Sequence, residues 1–356
     1  MKYTKLLKNY ILVLLGALLF CALVTVCFDP FYHYHKPLPG LKAVLGDKEY
    51  QVYGTLINFD YDAVIAGSSV CENYNNGWFD DKFDVTSVKA VRSYGNISDL
   101  CFYIDTALKN NDIKYVFLNI DPFALSEPVG VSFEQTGCPM YLYDNNLLND
   151  VNYLFNKDVL FKKIPSMLTK SLLSDYDDGE SYNWAHWKTF GEDVALTNYI
   201  RSKNLDDMKE EKLFEHECAM NTQLISKLAS DNPDTRFIVF FSPYSILWWD
   251  SIYRDGYTDA YIYNMRSCCN SLLRQDNIKI YNFLTEESIT SDLNNYMDML
   301  HFSADINRFV CDNLDNAQYE VTVDNIDEIF GNTSLYAEKV RDYYIPLYEN
   351  RILTEY

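Results

Sequence analysis

The sequence predicts an α/β fold: a parallel sheet with helices on both faces, an inserted helical and loop region, and one N-terminal transmembrane helix. Three observations predict it. A long apolar run, Tyr10 to Phe28, carries no charged residue. Behind it, short apolar segments of strand length alternate with amphipathic stretches, the rhythm of a parallel sheet with helical crossovers. Glycine and serine fall where those strands would end.

The apolar run is about 19 residues long, and at 1.5 Å per residue it matches a hydrocarbon layer of roughly 30 Å. A secretory signal would have a shorter core and small residues at a cleavage site; here Asp29, Pro30 and Phe31 follow directly. A lipoprotein would need a small residue before Cys21, where Phe20 stands. Lys2, Lys5 and Lys8 precede the span with no acid among them, which places the N-terminus in the cytoplasm. The span therefore reads as an uncleaved signal anchor, with everything after Phe28 outside. Next, DPFYHYHKPLPG reads as an extended stretch whose aromatics and histidines sit at headgroup level.

Asp62 to Ala66 is a short apolar strand ending in Gly67-Ser68-Ser69, and Val85 to Val91 is a second, followed by Ser93-Tyr94-Gly95. Ile97, Leu100, Cys101, Ile104 and Leu108 form the stripe of an amphipathic helix. Lys114 to Ile120 is a buried-type strand. Residues 125–205, rich in Asn, Asp and Tyr with helix-like pieces near 149–173, break the rhythm as an insertion or lid. It returns with a charged helix from Asp206 to Ser230, a strand from Arg236 to Phe241, a helix from Tyr257 to Arg274 and a strand from Ile278 to Phe283. A helix near 333–344 closes the chain. The expected domains are a cytoplasmic tip and anchor (1–28), a juxtamembrane segment (29–58), an α/β domain (59–314) and a C-terminal extension (315–356).

Composition removes several function classes. Hydrophobic residues make up 48% and charged residues 23% of 356, so the chain is not a disordered one. Lys+Arg number 30 against 51 Asp+Glu; without the three lysines before the span, 27 remain against 51, a net −24 for the exported part. Nucleic-acid binding needs a basic face, and none is apparent. Outside the span the cysteines are Cys71, Cys101, Cys138, Cys218, Cys268, Cys269 and Cys311, without a C-x-x-C spacing. They read as small buried hydrophobes rather than a disulfide framework. The histidines are scattered and His33-x-His35 has no ligand cluster beside it, so neither a metal nor a cofactor is expected.

Ligands of open α/β sheets bind beyond the carboxyl ends of the strands. Ser69 ends the first strand, Gly95 lies past the second, and Asp298-Met299-Leu300-His301 follows the last. A D-x-x-H spacing lets the carboxylate turn back on the imidazole and fix its tautomer, so that the other ring nitrogen can take a proton from Ser69. Alone, G-S-S is common as a helix cap and D-x-x-H occurs by chance; their joint placement is the signal.

With these residues the sequence resembles the SGNH/GDSL hydrolase superfamily. It is particularly similar to membrane-anchored members such as the D-alanyl-lipoteichoic acid biosynthesis and alginate O-acetylation proteins, which work alongside a membrane-bound O-acyltransferase. The likeness covers most of 60–314 and the anchor, and it implies an SGNH-like, flavodoxin-like domain. VIAGSSVCENY resembles the first block, making Ser69 the nucleophile with Ser68 in place of an aspartate. YGNIS resembles the second, whose glycine N–H lines the oxyanion hole beside that of Ser69; this maps to Gly95. DMLHF resembles the last, giving Asp298 and His301. The third block departs: where the family has G-x-N-D this chain has LNIDPF. Asn119 either supplies the side-chain donor or points into a helix layer, and Asp121 donates only if protonated.

Substrate contacts are expected from Tyr244 and Ser245, after a strand on the same rim, and from Trp184 and Trp187, as stacking faces for sugar rings or as plain packing. His186 and His216 lack an aspartate three residues before them and read as structural. The leading expectation is an extracytoplasmic serine acyl-transfer enzyme acting on a cell-envelope polysaccharide or teichoic-acid-like polymer, with a membrane-bound O-acyltransferase as partner by resemblance. The alternatives are a free carbohydrate esterase or deacetylase, and a non-catalytic module that binds the glycan or the acyltransferase.

Overall fold

The computed structural model describes residues 2–133, 137–144 and 146–354. Positions 134–136 and 145 of the expected insertion, and 355–356 of the expected extension, lie outside the described residues. The chain divides into two compact units, 61–132 with 183–356, and 1–60 with 133–182.

The first of these is a mixed α/β unit. Its sheet contains β1 (Ala63–Gly67), β2 (Ser87–Val91), β3 (Tyr115–Asn119), β4 (Arg236–Phe241), β5 (Ile278–Asn282) and β6 (Glu320–Val321). The spatial order is β2-β1-β3-β4-β5-β6, with β1 to β5 parallel and β6 antiparallel at the edge. The order reverses between β1 and β3, and in such sheets ligands bind in the crevice at the carboxyl ends of those strands. β1 is buried along its whole length, and β3 and β4 are buried after their first residues. That is why they read as continuous apolar runs.

Helices flank the sheet. Ile97–Asn110 packs on Glu215–Asp231, which packs on Thr258–Leu272, while Asn76–Phe83 packs on Ala304–Asp312. The Ile97 stripe lies inward as expected, with Ile97, Leu100, Cys101 and Ile104 buried. Asn96 caps that helix by accepting from the Asp99 N–H at 2.9 Å. Several bounds differ from expectation. The charged helix begins at Glu215 rather than Asp206, the closing helix starts earlier, at Ile326, and continues past Lys339 as a π-helical stretch Val340–Tyr344 to the expected end, and a helix at Ile246–Arg254 was not foreseen. The stretch past 315 contributes the edge strand β6. The seven cysteines outside the apolar helix are buried and form no disulfide among the described residues.

The second unit contains helix Lys2–Phe28, whose part from Tyr3 is long and apolar enough to cross a membrane. It also holds helix Lys48–Asn58 and, from the insertion, Val151–Leu154, a π-helical turn Val159–Lys163 and Ile164–Leu173. Two of the aromatics after that helix do not sit exposed as a headgroup belt would have them: Phe31 and Tyr32 are 2% and 1% exposed, while His33, Tyr34 and His35 are half-buried. The reason is Asp29, itself fully buried with φ of 38°. Its carboxylate accepts from the N–H groups of His33, Tyr34 and His35 at 3.1, 2.7 and 3.0 Å and from the Tyr153 hydroxyl at 2.7 Å. The turn so formed stacks Phe31 on Tyr153 at 5.2 Å. Burial raises the Asp29 pKa above the ordinary carboxylate value, against the pull of those hydrogen bonds. Gly54 of the second helix lies so close to the Phe31 and Tyr32 carbonyls that an added Cβ would sit 2.5 and 2.6 Å from their oxygens.

Candidate active site

β1 delivers Ser69 to the sheet's carboxyl edge. After Gly67 the chain tightens into a turn and a 3-10 segment, Cys71–Asn73, with the Cys71 N–H donating to Ser68 O at 3.0 Å. Gly67 is required there because a Cβ would collide with the Cys71 side chain and press on Asn119 Cβ at 3.1 Å. Ser69 is half-buried in the turn.

The structure brings Ser69, His301 and Asp298 together. Ser69 Oγ lies 2.9 Å from His301 Nε2 across 232 residues of sequence. His301 Nδ1 lies 2.7 Å from Asp298 Oδ2, while Asp298 Oδ1 accepts from the Leu300 and His301 N–H groups at 2.8 Å each. Burial would raise the Asp298 pKa; the hydrogen bond and charge of His301, with those two N–H groups, outweigh it and hold the carboxyl below its ordinary value. An ionised aspartate on Nδ1–H leaves Nε2 as the acceptor facing Ser69.

The loop carrying Asp298 and His301 is held from several sides. Met297 N–H donates to His301 O at 3.0 Å, and Asn198 Nδ2 donates to Met297 O at 2.8 Å. Ser245 donates both its N–H (3.2 Å) and its hydroxyl (3.0 Å) to Met299 O, and also caps helix Ile246–Arg254. Ser245 is therefore a clamp on the loop rather than the expected substrate contact. Tyr244 is equally misplaced for that role: both residues are 0% exposed, and the Tyr244 hydroxyl donates to Asp121 Oδ1.

No family model matches the chain, and no curated protein matches it.

Two expected oxyanion donors are committed elsewhere. The Gly95 N–H closes a turn onto Arg92 O at 3.0 Å, and an added Cβ at Gly95 would meet that same oxygen at 3.1 Å, so the turn itself accounts for the glycine. Asn119 is fully buried; its Nδ2 donates to Phe240 O at 3.4 Å and its Oδ1 accepts from Ser242 at 3.1 Å. Strand alternation turned that amide into the sheet. The Ser69 N–H, by contrast, has no acceptor among the described residues. Trp184 is brought to the site: its ring meets the His301 ring edge-on at 4.9 Å, and its backbone N–H donates to Asn73 Oδ1 at 3.2 Å. Trp187 is 82% exposed and stands beside His186 at 6.1 Å.

Asp121, expected to donate only if protonated, is a buried acid beside the candidate triad. It is 4% exposed, is hydrogen-bonded by Tyr244 and Ser68, and has His301 within electrostatic reach. Burial raises its pKa despite those partners. The native state therefore holds the Asp121 proton more tightly than the unfolded chain does. Its contribution is fully present below the unfolded pKa and is lost as pH rises through the folded one. Asp121→Asn should accordingly remove one component of the fall in thermal stability with rising pH. Asp121→Ala should cost about 1–3 kcal/mol at every pH by stranding the Tyr244 hydroxyl. Thermal melts across pH separate the two, and an unchanged pH profile in the Asn variant would refute the assignment.

Proposed function

We propose that the chain is a membrane-anchored serine acyl-transfer enzyme with an SGNH-hydrolase-like, flavodoxin-like domain, working outside the cytoplasm on a cell-envelope polysaccharide or teichoic-acid-like polymer. The observation that carries the reading is the continuous Asp298–His301–Ser69 hydrogen-bonded chain at the carboxyl edge of β1. In this reading Ser69 Oγ attacks the acyl carbonyl as His301 Nε2 takes its proton. The imidazolium then returns the proton to the leaving oxygen, and an acyl-serine ester remains. A sugar hydroxyl or water, deprotonated by the same nitrogen, takes the acyl group and frees Ser69. The Ser69 N–H supports the tetrahedral oxyanion. Transfer to a glycan alongside a membrane-bound O-acyltransferase rests on the resemblance alone; a free esterase or deacetylase would use the same triad.

A non-catalytic binding module is favoured by the commitments of Gly95 and Asn119, which leave the oxyanion site thin in donors. Covalent labelling of the full chain with a serine-reactive fluorophosphonate separates the readings. The enzyme labels at one serine, whereas the module does not label, even when the acyltransferase is added.

Two further outcomes follow from this reading. Trp184→Ala should weaken glycan binding by on the order of 1 kcal/mol, as one lost stacking face does. Trp187→Ala should leave the melting temperature unchanged because that ring is exposed; calorimetric titration with a cell-wall oligosaccharide reads the first effect and a thermal melt the second. Protease added to wall-stripped cells should digest the chain beyond Phe28, and full protection would reverse the orientation given by the three N-terminal lysines.

A further inference from the structure

The unit that holds the apolar helix also exposes apolar side chains on its inserted half. Leu147, Leu148, Phe161 and Leu173 are 72, 85, 78 and 82% exposed, and Phe155 and Leu172 are exposed near them in sequence. Scattered surface hydrophobes need no explanation, but these fall within one short stretch. That stretch packs on the end of the apolar helix. Val151–Leu154 and Val159–Lys163 both contact Lys2–Phe28, and Thr25 Oγ donates to Leu154 O at 3.1 Å. Thr25 lies one turn short of the helix end at Phe28, about 4.5 Å along the axis. If the helix crosses a bilayer, Leu154 is therefore level with the outer margin of the hydrocarbon. An in-plane segment buries its apolar face about 5–10 Å into that boundary. The charge is also out of character for the chain. Residues 149–173 carry Lys157, Lys162, Lys163 and Lys170 against Asp150 and Asp158, in a protein of net charge −21.

We propose that residues 147–173 form a second membrane contact, an interfacial segment whose exposed leucines and phenylalanines enter the acyl region while its lysines meet anionic headgroups. The proposal rests on the reading of Lys2–Phe28 as a membrane span and adds to it. The occupant is the lipid surface itself, because the patch continues outward from the helix that would already lie in lipid.

The test uses the full chain in phosphatidylethanolamine–phosphatidylglycerol vesicles, with the photoreactive benzoylphenylalanine placed in turn at Phe161, Leu173, Leu19 and Val323. Leu19 lies within the helix, and Val323 is an exposed apolar residue of the α/β unit at 70%. After irradiation, lipid adducts are measured by mass. Phe161 and Leu173 should give at least about tenfold more adduct than Val323, as expected for side chains held among acyl chains. Lipid adducts at Leu19 without adducts at Phe161 and Leu173 would overturn this inference and leave the span intact. No adduct at Leu19 would overturn the span and the inference together. Adducts joining Phe161 to a second copy of the chain, in place of lipid, would make the patch a protein interface and overturn the lipid assignment.

Discussion

Ser69→Ala should abolish covalent labelling by a fluorophosphonate and turnover of a simple aryl acetate, whereas Ser68→Ala should retain both. The two serines are adjacent, yet the structure separates them sharply. Ser69 Oγ faces His301 Nε2 at 2.9 Å in a half-buried turn. Ser68 is 5% exposed and hydrogen-bonds the buried Asp121. A hydroxyl without a base at hydrogen-bond distance is a weak nucleophile, so Ser68 does not replace Ser69. Its own loss removes one partner from Asp121, a cost of about 1 kcal/mol in stability rather than in chemistry. The measurement is turnover and labelling of the full chain in detergent, with a thermal melt on each variant. Wild-type labelling in Ser69→Ala, or a dead Ser68→Ala of wild-type stability, would sink the nucleophile assignment.

In the proposed triad His301→Ala should lower turnover by several orders of magnitude, and Asp298→Asn by about 10⁴-fold, because members of such a triad act as a unit. Asp298→Asn is the more informative change. Its remaining oxygen still accepts from the Leu300 and His301 N–H groups, so the loop keeps its shape. Its amide nitrogen now faces His301 Nδ1, which must accept, and the ring proton moves to Nε2. There it meets Ser69 Oγ as a donor and can no longer take the serine proton. The variant should therefore fold normally, label slowly and show an altered pH profile. Equal labelling rates in Asp298→Asn and wild type would remove Asp298 from the chemistry.

The strands were legible because buried parallel strands are apolar on both faces: Arg236–Phe241 has the expected bounds, and Lys114 to Ile120 needed only one residue trimmed at each end. The candidate triad was legible because Ser69 follows directly on the first strand and Asp298 with His301 share a D-x-x-H loop after the last parallel strand, on the rim where the sheet's topology gathers side chains from distant sequence. What surrounds it was less so. The clamp of Ser245 on Met299 joins residues 54 apart and leaves no local pattern, although a serine ahead of Ile246-Leu247-Trp248-Trp249 was a readable helix cap. Gly95 and Asn119 failed as expected donors because hydrogen-bond partners are chosen by tertiary packing: one by a turn, the other by the neighbouring strand. The insertion divides for the same reason. Its 133–182 portion joins residues 1–60, while Trp184 stays with the α/β unit. No composition shift marks that division.

The buried Asp29 knot has a consequence for rotation. A span joined to its outer part by a slack linker can spin freely about its own axis, showing every side to the bilayer in turn. Here the first residues past the apolar helix are gathered on one carboxylate, and Tyr153 and Leu154 grip the knot and the helix's last turn together. The helix can turn only if that whole body turns with it. Its azimuth is therefore fixed: Thr25 always faces the rest of that unit, while Leu19, Phe20 and Leu23, 61, 67 and 58% exposed, remain uncovered by it. If this helix crosses a membrane, a protein that docks on it there meets the same exposed surface each time, as a key meets a lock that does not revolve.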